Sequence, residues 1–247
     1  LRAQTGLAAI DRQYPWGAVW AVIDDPGATR GTTLWQWYRS AREMLGIMPT
    51  GVAPGHSHPV VSMFWSLHED AYPAFREAGL DAFKRSVLAM NPGCADLLGR
   101  LDSPEQLTWA RYRDVSMPRY HTDDAIVIGD AAHATSPQLG QGTNLALMDA
   151  WALAACLSQD RPVAQALAAY TAGRRRHLRF YGQASRWMTP GFQSHHRLLP
   201  WMRDLLFAPS AKWPVAGTFT CNTLVGAQLS WWPFGSAARM APSDFLK

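Results

Sequence analysis

The segment from residue 125 to residue 157 constrains this chain of 247 residues more than any other. It reads AIVIGDAAHATSPQLGQGTNLALMDAWALAACL. The pattern predicts an apolar strand over 125–128, then Gly129-Asp130, a loop of small residues, proline and glycine, and an apolar helix over 143–157. Open α/β sheets place their ligands at the carboxyl ends of strands, where Asp130 stands. This order of elements predicts a site for a polar, partly anionic cofactor.

Each part of this segment has a chemical use at such a site. The carboxylate of Asp130 can accept hydrogen bonds from sugar-like hydroxyls, and charge-assisted bonds are stronger than neutral ones. Gly140 and Gly142 carry no Cβ, so the backbone can approach a ligand closely. The N-terminus of the following helix presents unpaired N–H groups and about half a positive charge, which stabilises an anion. A simpler interpretation stays open, in which Gly129-Asp130 is only a strand-to-helix turn and Asp130 a helix cap.

The rest of the chain predicts an antiparallel sheet followed by helices. Apolar–polar alternation between turn residues indicates strands with one buried face. The predicted strands are 14–23, 32–39, 43–49, 60–67 and 109–115. The predicted helices, besides 143–157, are 70–100 with a stop at Asn91-Pro92-Gly93, 163–187, and a short one at 199–207. Because the helix over 143–157 is apolar on nearly all sides, we expect it to be buried. The predicted fold class is α+β, a sheet followed by a strand–loop–long helix unit and C-terminal helices.

Charge and cysteine usage exclude several classes of protein. The densest cluster of the +4 net charge is Arg174, Arg175, Arg176, His177 and Arg179. We interpret it as a solvated helix face rather than a nucleic-acid surface, because no stacking module accompanies it. Three unpatterned cysteines predict neither a disulfide framework nor a metal site, which favours a cytoplasmic location. No run reaches the roughly 18 apolar residues of a membrane span. The tail from Trp213 to Phe234 is expected to pack against the protein rather than against a membrane.

The whole segment resembles a motif of a known family. The string G-D-A-A-H, then Pro137, then G-Q-G-x-N and Asp149-Ala150 is similar to the second flavin-binding motif of the group A FAD-dependent aromatic hydroxylases, the p-hydroxybenzoate hydroxylase-like family. The resemblance covers roughly residues 1–190. It implies a substrate-binding sheet domain over 1–120, the C-terminal part of an FAD-binding domain over 121–190, and a tail over 191–247.

By this resemblance, the motif would hold the ring-and-ribityl end of FAD. Asp130 would hydrogen-bond the ribityl chain, while Pro137 and the backbone of 140–144 would line the isoalloxazine ring. His133 fits the motif without an assigned role, and Thr143 stands where the family often has a larger apolar residue. Asn144 is either a ligand or a brace of the loop. The expected cofactor-binding residues are Gly129, Asp130, Ala131, Pro137, Gly140, Gln141, Gly142, Thr143 and Asn144.

The resemblance also implies a reaction. NAD(P)H would reduce FAD, and O2 would then supply an oxygen atom to an aromatic or electron-rich small molecule. No catalytic residue is assigned. Ligand sites are largely apolar and aromatic, so the sheet supplies candidate substrate residues, without an assignment to one face. These candidates are Trp35, Trp37, Tyr38, Met48 and Trp65.

The family's nucleotide-binding elements are not found in this sequence. There is no G-x-G-x-x-G, and Leu1-Arg2 is at most the end of a D-G-x-x-S-x-x-R segment. We therefore expect a C-terminal part that is inactive alone, with the N-terminal FAD-binding segment in the same protein or on a partner chain. The alternatives are a non-catalytic fragment, one half of a split flavoprotein, or a flavin-dependent reductase or halogenase. Halogenases tend to carry a lysine in the substrate cavity, and Lys84, Lys212 and Lys247 lie in a predicted helix and the tail.

Overall fold

The structure is a computed structural model that describes residues 2–210 and 213–232, so Lys212, Phe234 and Lys247 lie outside the described residues. The contacts divide the chain into two units. One, here called the motif unit, takes its described residues from 1–14, 112–189 and 202–247. The other, here called the sheet unit, consists of residues 15–111 and 190–201. Each unit has its own apolar core.

A five-stranded sheet is the main β element of the described residues. Its strands are β1 (Ile10–Asp24), β2 (Trp35–Arg39), β3 (Glu43–Val52), β4 (Pro59–His68) and β5 (Thr108–Ser116). The spatial order is β2-β3-β4-β1-β5, and the pairs β2/β3, β3/β4 and β1/β4 are antiparallel. The α+β fold class and the antiparallel sheet are therefore confirmed, with each predicted strand before residue 120 present.

The helices before residue 211 follow the sequence pattern, whereas the helix over Pro214–Leu224 was not predicted. They are α1 (Tyr72–Met90), α2 (Ala95–Leu98), α3 (Asp130–His133), α4 (Gly142–Leu157), α5 (Val163–Phe192), α6 (Leu198–Ser210) and α7 (Pro214–Leu224). The predicted stop after α1 is confirmed. Asn91 precedes a proline, which disfavours helical backbone, and it is extended, with φ −147° and ψ 99°. Its side chain instead accepts the N–H of Gly93 at 3.0 Å.

The two faces of the sheet differ in what packs on them. On one face, Trp65 lies across from Leu45 and contacts Phe83 of α1, ring centroid to ring centroid 6.3 Å. On the other face, Trp20 stacks on Phe64 at 4.8 Å. The Phe64 ring lies over Gly46, where a Cβ would come within 1.9 Å of the ring. Helix α1 therefore covers the first face, while the second carries the partly exposed Trp20 stacked on the buried Phe64, a pair here called the aromatic platform.

The strand expected over 125–128 is wrong. In the described residues this segment forms one isolated antiparallel bridge, between Ile126 and His121. Two backbone hydrogen bonds join the segment to residues 120–122, from Val127 N–H to Tyr120 O at 2.8 Å and from Thr122 N–H to Ala125 O at 2.8 Å. An apolar run becomes a strand only where a neighbouring strand accepts and donates its ladder bonds, and none of the described strands pairs with it.

The expectation that the helix over 143–157 is buried all round is also wrong. Helix α4 buries Leu145, Met148, Asp149, Ala152 and Cys156. Its opposite face remains exposed, since Leu147, Trp151 and Leu157 keep 66%, 40% and 48% of their surface. The composition of α4 predicts an apolar helix, but it does not predict which faces of the helix pack against other described residues.

Among the described helices, none combines the length and hydropathy needed to cross a membrane.

Candidate functional site

The Gly129-Asp130 turn presents its carboxylate to solvent. Gly129 has φ 60°, in the left-handed region where a Cβ is strained, so glycine is required at this turn. Asp130 begins α3, is exposed, and its carboxylate makes no hydrogen bond to another described side chain or backbone group. The helix-cap interpretation of Asp130 therefore finds no support, and the carboxylate can accept bonds from a ligand.

The N-terminus of α4 lies beside this carboxylate. Gly140 turns the chain with φ 63°, and α4 starts at Gly142. The N-cap residue Gln141 makes no side-chain capping bond, so the first amides of α4 keep their donors. A Cβ placed on Gly142 would stand 3.7 Å from Oδ1 of Asp130. One small region thus combines an exposed carboxylate with the N–H donors of a helix N-terminus.

Gln141 and Asn144 serve the loop itself. Nε2 of Gln141 donates to Leu224 O at 2.7 Å, and Nδ2 of Asn144 donates to Oε1 of Gln141 at 2.8 Å. Gly226 packs against both amides with φ 82°, and a Cβ there would meet Nδ2 of Asn144 at 2.3 Å. Of the two roles expected for Asn144, the contacts support the brace. The turn at 224–226, which the sequence did not connect to the site, completes it.

Asp149 anchors the motif from inside the protein. Its carboxylate, fully buried, accepts the N–H of Gly129 at 2.9 Å, Nε2 of His133 at 2.5 Å and Nε of Arg174 at 2.8 Å. Burial by itself would raise the pKa of Asp149. The bond from His133, the charges of His133 and Arg174 and the Gly129 amide outweigh burial, so the pKa lies below its usual value. An ionised Asp149 therefore holds the turn that presents Asp130.

A chain of polar groups continues from Asp149 to the C-terminal turn. Nη1 of Arg174 donates to Nδ1 of His177 at 2.7 Å, and Nε2 of His177 donates to Gly226 O at 2.7 Å. Burial, followed by the neighbouring Arg174 charge, lowers the pKa of His177 to about 4, so the ring is neutral with its proton on Nε2. We call Asp149, Arg174, His177 and Gly226 the buried network.

The buried network corrects the interpretation of the basic cluster. Arg174 is 0% and His177 is 1% exposed, so these two residues do not belong to a solvated face. A carboxylate in the middle of an apolar helix needs a buried partner. Asp149 in α4 was the sequence signal for such a cation, although the pattern could not say which arginine supplies it.

The remaining predicted cofactor residues lie at the edge of this region. Ala131 is exposed, and its carbonyl accepts Nη1 of Arg2 at 2.8 Å. Pro137 is exposed and begins the 3-10 turn Pro137–Leu139, which Gly140 follows. Thr143 is exposed on the first turn of α4. All of them belong to the motif unit, as do Gly129 and the loop that the buried network supports.

The five candidate substrate residues divide between the two faces of the sheet. Cross-strand partners share a face, and Trp35, Trp37 and Trp65 belong to the face that packs on α1. Trp65 is 6% exposed there, while Trp35 is 54% exposed and stacks on Trp37. Tyr38 and Met48 belong to the opposite face, with the aromatic platform. A pocket on one face therefore takes only part of the set.

Known proteins match both the sequence and the fold. A family model described as an FAD binding domain matches residues 1–183. Kynurenine 3-monooxygenase of Salinispora tropica is 47% identical over 62 residues, which are 25% of this chain and 14% of that protein. The 3-amino-4-hydroxybenzoate 2-monooxygenase of Streptomyces cremeus is 32% identical over 134 residues, covering 45% of this chain and 33% of that protein.

The fold has solved counterparts. The crystal structure of Klebsiella pneumoniae HpxO in complex with FAD and uric acid matches with a TM-score of 0.72 and 20% identity, over 93% of this chain and 58% of that chain. The chain therefore spans less than two thirds of the proteins that it matches. Because the family model covers residues 1–183 of 247, this chain belongs to the family of FAD-binding domains found in flavin-dependent monooxygenases.

Proposed function

We propose that this chain supplies the flavin-ring site and the substrate sheet of an FAD-dependent monooxygenase that uses NAD(P)H and O2 on a small aromatic or electron-rich molecule. The observation that carries the proposal is the placement of the Asp130 carboxylate beside the uncapped N-terminus of α4. When bound, FAD supplies the redox chemistry, and the protein supplies binding and electrostatics.

The residues of this chain would bind and polarise the cofactor. The Asp130 carboxylate accepts hydrogen bonds from ribityl hydroxyls, and the first amides of α4 donate to the oxygen-bearing edge of the ring. The dipole of the 16-residue helix α4 favours negative charge at that edge, by a few tenths to about 2 kcal/mol. Asn144 and Gln141 hold the loop in one conformation, because their amides bond to each other and to the 224–226 turn.

The substrate would lie on the sheet face that carries the aromatic platform. Helix α1 covers the other face around Trp65, which leaves Tyr38 and Met48 as the better candidates from the predicted set. A flat aromatic ring can stack on Trp20, whose own ring stacks on the buried Phe64 with an interplanar angle of 29°. Two relatives are named as monooxygenases of kynurenine and of 3-amino-4-hydroxybenzoate, which are aromatic compounds.

The exposed face of α4 would be covered by the segment that binds the nucleotide end of FAD. Leu147, Trp151 and Leu157 form an apolar surface on the helix whose N-terminus holds the ring. This chain matches 58% of the HpxO chain, so HpxO contains a further part that this chain does not match. We infer that a βαβ unit with a glycine-rich loop packs on this face, in the same polypeptide or on a partner chain.

The proposal is tested by cofactor binding and by product analysis. Gly142→Val fills the space beside Asp130 at a position of ordinary backbone, and Ala172→Val, at an exposed position of α5, is the matched control. We expect FAD affinity of the whole protein to fall by about tenfold or more in Gly142→Val only. The wild-type protein, supplied with NADPH and O2, should add one oxygen atom to an aromatic compound. Flavin reduction without oxygen transfer, or bromination with added bromide, would instead identify a reductase or a halogenase.

A further inference from the structure

The motif unit contains a cavity whose lining includes His133 of the motif but not Asp130 or the first turn of α4. Its volume is about 670 Å³, within the size range of small-molecule sites. Ile10 and Met117 contribute to an apolar wall, and one face of α5 forms a wall that carries Arg175, Arg179 and Arg186. The function proposed above uses none of these side chains.

The arginines of this wall are not equivalent. Arg186 donates two hydrogen bonds to the carboxylate of Asp114, Nε to Oδ2 at 2.5 Å and Nη2 to Oδ1 at 2.9 Å. Arg175 and Arg179 make no ion pair or hydrogen bond to any other residue in the described part of the chain. They stand four positions apart on one helix, a spacing at which like charges face each other and destabilise the helix. An anion held between the two guanidinium groups would offset that repulsion.

A glycine keeps the same wall open. Gly182 lies in the interior of the 30-residue helix α5 and lines the cavity. A Cβ added to Gly182 would meet nothing within 4 Å, so packing does not demand glycine there. Glycine within a helix costs roughly 0.5–1 kcal/mol relative to alanine. The glycine therefore lowers helix stability but leaves open space beside Arg175 and Arg179, which a bound molecule can fill.

We propose that this cavity binds a small organic phosphate, with Arg175 and Arg179 on the phosphate group and the apolar wall on the organic part. A guanidinium matches phosphate oxygens in a bidentate manner. A phosphate monoester carries a charge of about −1.5 to −2 near neutral pH, which balances two arginines where a single carboxylate would balance one. The proposal goes beyond the flavin function and does not depend on it.

Calorimetric titration of the whole protein with phenyl phosphate tests the charge requirement. We expect phenyl phosphate to bind more tightly than inorganic phosphate, because only the ester contacts the apolar wall. The double variant Arg175→Gln/Arg179→Gln should weaken binding about tenfold or more. Arg176→Gln is the matched control, because Arg176 is exposed on the same turn but does not line the cavity. Equal affinity in the double variant and the control would overturn the proposal.

A second variant tests the space without changing the charge. Gly182→Leu should abolish phenyl phosphate binding while the thermal midpoint stays equal or rises, and unchanged binding would overturn the proposal. FAD affinity, measured in the same variants, should stay at the wild-type value, so a failure here is separate from a failure of the flavin site. A hexaglutamate peptide that binds more tightly than phenyl phosphate would contradict a small phosphate ligand.

Discussion

Arg174 and Asp149 form an ion pair with Nε 2.8 Å from Oδ1, and both side chains are 0% exposed. The same carboxylate accepts the N–H of Gly129, directly before Asp130. The ion pair therefore positions Asp130 through the Gly129 amide. Pairing offsets the cost of burying two charges, whereas one charge left alone in the interior is strongly destabilising.

Removing Asp149 alone should destabilise the protein more than removing Asp149 and Arg174 together. We expect Asp149→Ala to lower the free energy of unfolding by about 3–5 kcal/mol, because it leaves the Arg174 guanidinium buried and unpaired. The double variant Asp149→Leu/Arg174→Leu removes both charges and should recover a large part of that loss. Urea denaturation of the wild type, Asp149→Ala, Asp149→Leu, Arg174→Leu and the double variant measures both effects. A loss in the double variant equal to the sum of the two single losses would show that the pair is not coupled.

The buried network should also make stability depend on pH. The pKa of His177 is lowered to about 4 in the folded protein from an ordinary value of 6.5. Between pH 4 and pH 6.5, His177 therefore binds a proton in the unfolded chain but not in the folded protein. The contribution of His177 to the free energy of unfolding is fully present above pH 6.5. It decreases as the pH falls towards 4 and does not change further below that pH. The loss amounts to about 3 kcal/mol.

The variant His177→Gln isolates that contribution. Glutamine can accept from Arg174 and donate to Gly226 but does not titrate. Unfolding free energies of both proteins between pH 4 and pH 7 should show a shallower dependence in the variant. Identical slopes in the two proteins would mean that His177 keeps its ordinary pKa.

Gly226 should be necessary for a rigid motif loop. We expect Gly226→Ala to weaken FAD binding by about tenfold, because the new Cβ would collide with the Asn144 amide at 2.3 Å. Gly55→Ala is the matched control, since Gly55 has a similar φ of 83° but open space around it. Flavin fluorescence titration compares the two. A control that weakens FAD binding as much as Gly226→Ala would assign the effect to backbone strain in general.

We expect Gln193 to lower the stability of the sheet unit. It is 3% exposed, and neither atom of its amide finds a hydrogen-bond partner among the described residues. Gln193→Met removes the unpaired polar group at similar size and should raise the free energy of unfolding by about 1 kcal/mol. Thermal unfolding followed by circular dichroism measures the change. A decrease of similar size would show that the amide has a partner in solution.

Local patterns predicted most of the elements of this fold. The strand of Trp16, Ala18, Trp20 and Val22 and the stop at Asn91 depend on residues within a few positions of each other, and both are present. The apolar run over 125–128 and the exposed side of α4 failed because ladder pairing and burial depend on distant segments. The motif itself was recognisable as a string of nearby residues.

The support of the site was not predictable in the same way. Arg174 meets Asp149 across 25 positions, and His177 meets Gly226 across 49. No spacing rule connects such residues, because tertiary packing of α4, α5 and the C-terminal turn brings them together. Sequence reasoning thus predicted candidate ligand-binding residues and missed the residues that hold the motif loop in place.

The central claim is that Asp130 and the first turn of α4 receive the ring-and-ribityl end of FAD. A crystal structure of the whole protein with bound FAD tests it most directly. The account predicts ribityl hydroxyls within hydrogen-bond distance of the Asp130 carboxylate and ring atoms at the amides of Gly142 and Thr143. Ordered FAD bound elsewhere, with Asp130 facing solvent, would contradict it.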